Sequence, residues 1–468
     1  MNILIVVLTI LFITLVGFAV IRLLNLLENF DNLLKLSYSY GFGVGLVCFQ
    51  LYIYSRLNIA WEKINLILPW LIVIAFFLIK RKSIFSFKLK LPKFSKINLI
   101  NLIFITAIMF SCGYVIFEAL IRPATVWDSW ATWLFQSKIF FIDNGINPKV
   151  LFTFNFNYPF IYNLLGTFIY IVLGKVDDTT VLLTSSAFYL FLALLIFSTI
   201  KKRIGLKQAL LFTLIYAATQ NFIRHGGRIE AGMADLSVGY YAFCCLTLLL
   251  EYLKNKTARV FLVLSIFLGI TSLVKLEGMA ISILIAMSAT YVIYKNKLYK
   301  HLLIFMFWIL PIIDWEIYKK INGSNLQSFA ESSFRISFKS TVNAFLGTFR
   351  ELINIKSWNF LWITYFYSLF TFKMSKKGEL AILNFIVLSQ LSFYILIYIL
   401  FSVSYSPESS IERLLVQIAP IALYEIAIMT TLIDFTFLKK MSKLKILGDR
   451  NAVKIIDYFF SRNHGDRN

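Results

Sequence analysis

Residues 160–175 read FIYNLLGTFIYIVLGK, and the path given to this apolar stretch decides the topology of the rest of the chain. If it crosses a membrane, the basic run KKRIGLK (201–207) lies on the face opposite KRKSIFSFKLKLPKFSK (80–96), a stretch with seven Lys/Arg and no acid. Cytoplasmic loops collect Lys and Arg, so that path sets the two clusters against each other. If the stretch instead dips in and returns, or lies along the surface, the clusters at 201–207, 254–259, 295–300, 373–377 and 439–450 all join 80–96 on one face. One assumption repairs every later loop, and the second path is therefore the expected one.

Composition supplies the membrane. Hydrophobic residues make up 59% of the 468-residue chain, charged residues only 15%, and the mean hydropathy is +0.76. A soluble chain of this length has no way to keep so much apolar surface from water, whereas apolar runs of roughly 15 to 23 residues match the thickness of a bilayer. The expected fold class is an all-α polytopic membrane protein with about 13 transmembrane helices, its N-terminus outside and its C-terminus inside. The opening run MNILIVVLTILFITLVGFAVIRLL lacks a basic start and a small-residue cleavage site, and reads as a retained helix rather than a signal peptide. A net charge of +22 does not point to nucleic acid, because the Lys and Arg sit in short clusters between apolar runs.

Four divisions follow. Residues 1–97 are accessory helices and a basic loop, and 98–300 form a core with an external loop at 121–160 that carries short surface helices. Residues 301–438 are C-terminal helices with an external loop at 319–357, and 439–468 are a basic cytoplasmic tail. Cys48, Cys112, Cys244 and Cys245 lie in apolar segments without a CxxC pair, so neither zinc nor a disulfide framework is indicated. Three histidines, His225, His301 and His464, are too few for a His-rich metal centre.

On the outer face this topology gathers ionisable residues at helix ends: Arg122 and Asp128; Arg224, Arg228, Glu230 and Asp235; Lys275 and Glu277; Glu412 and Arg413. Charge at membrane depth costs several kcal/mol unless paired or hydrated, which makes each a functional candidate. Carboxylates and cations around one cavity suit transfer from a lipid-phosphate donor. A departing phosphate is stable as an anion and needs cations or a metal rather than a general acid. The attacking acceptor needs a carboxylate base within about 3 Å.

The ordered set RPATVWDSWATWLFQSK (122–138), NYPFIYNLLG (157–166), AGMADLSVGYY (231–241), SLVKLEGMA (272–280) and ERLLVQIAP (412–420) resembles the GT-C integral-membrane glycosyltransferases. These include the polyprenyl-phosphate-dependent mannosyltransferases and aminoarabinose transferases. The likeness covers residues 98–300 and extends weakly to 420. It implies a bacterial inner-membrane enzyme whose active site faces the periplasm. A polyprenyl-phosphate sugar would be the donor, and a cell-envelope lipid, glycan or protein the acceptor. Asp128 matches the first-loop acid and would serve as general base or as the group that orients the acceptor. Tyr158 and Pro159 match the turn that returns the loop to the membrane, and Asp235, Lys275 and Glu277 match polar residues lining the cavity. Arg413, with Lys275, Arg224 and Arg228, would hold the donor phosphate. Trp127, Trp130 and Glu230 complete the cavity, with 319–357 as a lid. Many relatives carry Asp-Glu or Asp-x-Asp in the first loop, whereas Ser129 follows Asp128 here. No cofactor is therefore implied with certainty, and a divalent metal would need Asp128 with Glu230 or Asp235.

Plainer readings compete. Trp127, Trp130 and Trp133 at i, i+3, i+6 form one helical stripe, as an interfacial aromatic belt would. Asp128 is equally suited to an N-cap, Lys275 and Glu277 to helix-end charges, and His225 beside two glycines to a turn. YGFGVG (40–45) reads as close helix packing, not a nucleotide loop. A transporter or lipid-linked-glycan flippase would bind with the same charges without transforming substrate, and a non-catalytic envelope assembly factor would need no chemistry at all.

Overall fold

The computed structural model describes residues 1–28, 30–80, 98–148, 158–322, 336–371, 378–401 and 406–430. Every regular element within them is helical: α1 (Asn2–Leu23), α2 (Asn32–Arg56), α3 (Lys63–Lys80), α4 (Leu99–Ile121), a π-helical turn (Asp128–Trp133), α5 (Leu134–Ile142), α6 (Ile161–Leu173), α7 (Leu183–Arg203), α8 (Leu206–Ala218), α9 (Gln220–Gly227), α10 (Asp235–Asn255), α11 (Ala258–Ser272), α12 (Leu276–Lys295), α13 (Met306–Ile321), α14 (Phe338–Leu352), α15 (Ile355–Trp358), α16 (Leu361–Thr371), α17 (Glu379–Leu400) and α18 (Pro407–Met429). Segments this apolar must satisfy their backbone groups internally, and the helix does so within one segment.

Among the described residues nine helical stretches are long and apolar enough to cross a membrane: α1–α4, α10, α12 and α17, with α7 and α13 counted together with the 3-10 turns that precede them (Thr180–Arg203 and Tyr299–Ile321); the sequence leads us to expect 13 spans. Other apolar stretches of the described residues fall outside that set for local reasons. Thr219, with extended backbone (φ −78°, ψ 123°), separates α8 from α9. α11 has 15 residues and α16 has 11, roughly 22 and 16 Å at 1.5 Å per residue against a hydrocarbon core of about 30 Å. α18 has the length, with 23 residues, but carries Glu408, Glu412, Arg413 and Glu425.

Segment 160–175 folds as α6, 13 residues or about 20 Å long, and it does not run from one end of the bundle to the other. At its start the Ile161 amide donates to the Leu273 carbonyl (3.0 Å), where α11 gives way to α12. It stops at Gly174, left-handed at φ 76° against Lys63 at the start of α3. Just beyond, the Asn2 amide at the start of α1 donates to Asp177 (2.6 Å). All these helix termini share one end of the bundle. α6 thus lies across that end, buried from Ile161 to Ile171.

The basic termini consequently gather at the opposite end. Lys202 meets Glu251 (2.9 Å), Arg203 meets Glu379 (2.6 Å), and Arg259 meets Glu28 (3.0 Å). Tyr252 and His301 share a hydrogen bond (2.7 Å). These contacts tie the ends of α7 and α10, the starts of α11 and α17, the approach to α13 and the α1–α2 turn into one basic end. The clusters at 373–377 and 439–450, and nearly all of 80–96, lie outside the described residues.

α10 is buried on almost every side and anchors the core. Its Tyr240 and Tyr241 hydroxyls donate to the carbonyls of Ser37 (2.5 Å) and Gly41 (3.0 Å) on α2. Tyr38 of α2 shares a hydrogen bond with Thr247 (2.6 Å). The glycines of 40–45 do pack helices closely: a Cβ on Gly43 would stand 2.0 Å from the Ile13 carbonyl oxygen. No loop for a nucleotide is formed there.

Candidate functional site

The end opposite the basic one carries the charges singled out in the sequence, delivered by separate elements. Asp128 opens the π-helical turn, and its carboxylate pairs with Arg413 on the second turn of α18. The N-cap reading of Asp128 does not hold, because Trp127 precedes it in helical conformation and no side chain caps the turn. The wider π spacing also breaks the expected tryptophan stripe. Trp127 and Trp130 remain exposed and stack edge to face at 4.7 Å, while Trp133 turns inward against Tyr158 and Tyr162. π-bulges inside helices concentrate at functional sites, and this one sets Asp128 outward and Ser129 inward. The Ser129 hydroxyl is buried and donates to the Ala231 carbonyl (2.9 Å), which docks the turn on the segment before α10.

Beneath this pair lies a buried polar floor. Asp235, the first residue of α10, is fully enclosed. Its Oδ1 accepts from Lys275 Nζ and from Gln417 Nε2, both at 2.7 Å. Lys275 also reaches Glu277 (3.2 Å), and Gln417 accepts from the Tyr394 hydroxyl (2.9 Å). Burial works against the Lys275 ammonium, but the carboxylates of Asp235 and Glu277 outweigh it and hold its pKa above the ordinary lysine value. Asp235 Oδ2 has no hydrogen-bond partner among the described residues. Lys275 and Glu277 are therefore members of an interior network and not solvated helix-end charges.

A second cluster flanks the first. Arg224 forms a two-pronged pair with Glu230 and reaches Glu412, the residue before Arg413. Arg228 stands 3.9 Å from Glu118 of α4, which also pairs with Arg122. The two arginines thus separate: Arg224 belongs to the α18 side, Arg228 to the α4 side. Pro159 is buried at the entry to α6, and Tyr158 leans on Trp133 at 5.0 Å. Of the expected lid, 323–335 falls outside the described residues. Its α14 portion is docked where Gly347 meets Pro407 at the start of α18.

His225 is the largest departure from expectation. It is no surface turn residue but a fully buried member of α9, both ring nitrogens lacking a hydrogen-bond partner among the described residues. Burial is the main cause that takes its pKa down to about 4. The Asp235 and Glu230 carboxylates oppose the drop, and Arg413 and Arg224 add to it. The imidazole is neutral at neutral pH. Gly226 and Gly227 beside it suggest a turn, but Gly227 packs against the Val115 carbonyl, which a Cβ would meet at 2.0 Å.

Glu118 and Gln417 also belong to this end, and the sequence marks neither of them as a candidate. Each left a trace. Glu118 is the acid inside the otherwise apolar α4, and Gln417 follows Arg413 by one helical turn. The metal pairing of Asp128 with Glu230 or Asp235 is not assembled: each carboxylate is turned to a different cation. Among the described residues no group of three or more His, Cys, Asp or Glu side chains is placed to hold a metal ion.

The arrangement can bind an anion at the half-open arginine and offer a carboxylate beside it, over a floor too buried to rearrange cheaply. No protein-family model, curated protein or solved structure matches the chain.

Proposed function

We propose that the protein is a GT-C-like glycosyltransferase that moves a sugar from a polyprenyl-phosphate donor to a lipid, glycan or protein acceptor of the cell envelope. The reaction would occur at the periplasmic face of a bacterial inner membrane. The observation that carries this reading is the Asp128–Arg413 pair, part-exposed at the rim of a buried charged network. An arginine on the second turn of α18 whose one ion pair among the described residues is with Asp128 is ready to exchange that partner for a phosphate, which it can grip through two N–H donors.

The exchange would do two things. Arg413 would take the negative charge that develops on the polyprenyl phosphate as the anomeric C–O bond breaks. Asp128, released from its cation, would accept the proton of the acceptor hydroxyl as the new glycosidic bond forms. One base acting through the acceptor gives a single displacement and inversion. Lys275 and Asp235 would hold the floor and fix the position of Gln417 one turn below Arg413. Arg224 would add positive potential through Glu412, and the exposed Trp127 and Trp130 offer faces on which a sugar ring can stack.

The experiment is transfer from a panel of polyprenyl-phosphate sugars to envelope-lipid acceptors by the purified chain and by Asp128→Asn. Transfer by the parent should fall at least about 100-fold in the variant, the usual worth of a general base, with expression and donor binding kept. Equal transfer by both would remove Asp128 as the base, and none with any donor would move the charged rim to a binding role such as transport.

A further inference from the structure

We propose that the α1–α2 turn, at the basic end of the bundle, holds the phosphate headgroup of an anionic phospholipid. The reading is independent of the glycosyltransferase proposal and rests on a cavity of about 200 Å³ lined by Ile21, Arg22, Asn25, Leu27, Glu28 and Lys35. Liquid water occupies about 30 Å³ per molecule, so the space admits a phosphate group with several waters.

Its charge is arranged for an anion. The buried Lys35 ammonium donates to the Glu28 carbonyl (3.0 Å), and Arg22 donates to the Asn32 side chain (3.0 Å) with its guanidinium over the Phe18 ring. The lining's carboxylate, Glu28, is engaged by Arg259 from α11 at 3.0 Å. Lys202, itself paired with Glu251 (2.9 Å), lies over the ring of Phe30 in the same turn at 4.8 Å. Asn25 takes the left-handed conformation (φ 51°) that lets the chain leave α1 and bend around the cavity.

Its setting favours a lipid over a soluble phosphate. The cavity opens where α1, the most apolar of the nine candidate spans, ends. Leu11, Leu15 and Leu24 of that helix and its C-cap are exposed, a surface for acyl chains directly below the cations. Basic pockets between helices on the basic side of a membrane are where anionic headgroups bind, each nearby Lys or Arg strengthening the attraction by about fivefold.

The test is native mass spectrometry of the full-length chain in detergent, titrated with phosphatidylglycerol, phosphatidylcholine or inorganic phosphate. Phosphatidylglycerol should bind more tightly than phosphatidylcholine, and Arg22→Gln should weaken it by roughly fivefold. Lys295→Gln, at the end of α12 outside the cavity, should leave it unchanged. Lys35→Gln repeats the test should Arg22→Gln not fold. Equal binding of the two lipids, an affinity indifferent to the cavity variants, or inorganic phosphate that displaces the lipid at comparable concentration would each overturn the proposal.

Discussion

The two ends of this bundle both hold ion pairs, yet they hold them in opposite ways. At the basic end the cations stay open to water, most of all in one pair: Arg259 and Glu28 are 62% and 55% exposed. At the other end Lys275 and Asp235 are 8% and 0% exposed. Exposed pairs contribute about 0–1 kcal/mol each, so the basic end is a matter of charge count, and charge count is what orients a membrane chain. Buried pairs offset a large desolvation cost, and removing one partner strands a charge at a cost of about 3–5 kcal/mol. A chain that retains such a network at one end, and a part-exposed pair at its rim, has a reason beyond stability to do so.

Variants sharpen that contrast in descending order of effect. Lys275→Met should cost about 3–5 kcal/mol by leaving Asp235 buried beside a single amide donor, read as a large drop in the thermal midpoint in detergent. Lys275→Met with Asp235→Leu should recover much of the loss. A midpoint unmoved by the single change would mean that the floor is hydrated.

The buried imidazole comes next. His225 has its pKa depressed from about 6.5 to about 4, so the unfolded chain binds its proton first. The stability it protects is present above pH 6.5 and is lost as pH falls toward 4, on the order of 3 kcal/mol in all. His225→Phe should flatten that part of the stability-against-pH curve; an identical acid limb in parent and variant would contradict the buried neutral imidazole.

Smaller still is the rim. Asp128→Asn should change stability by no more than about 1 kcal/mol, since the Asp128 side chain is 40% exposed, even where transfer is abolished. Arg259→Gln should be smallest, within about 0.5 kcal/mol by thermal unfolding.

How much of this was legible in the sequence depends on the kind of signal. The partition of charge between two ends was readable, because Lys/Arg clusters and isolated outer acids are counted residue by residue. The convergence of Asp128, Arg413, Asp235 and Lys275 on one end followed from the same partition. Their partners did not, since nothing local says that Gln417 and Lys275 share one oxygen of Asp235. The tryptophan stripe failed because a π turn spaces residues differently from the α period. His225 was misread because Gly226 and Gly227 signal a turn as readily as a close helix contact. The break at Thr219 and the shortness of α11 and α16 were not legible, because hydropathy registers neither.

The path of α6 is what sets the two ends apart, and it is the point to test directly. On a background of Cys112→Ala, with Cys48, Cys244 and Cys245 buried, single cysteines at the exposed Trp127 and at Lys202 can be probed in intact cells with an impermeant thiol reagent. The account predicts that Trp127→Cys reacts in intact cells and Lys202→Cys only after permeabilisation. Labelling of both from the same side would mean that 160–175 crosses the membrane, and the division between a charged site and a basic end would fall with it.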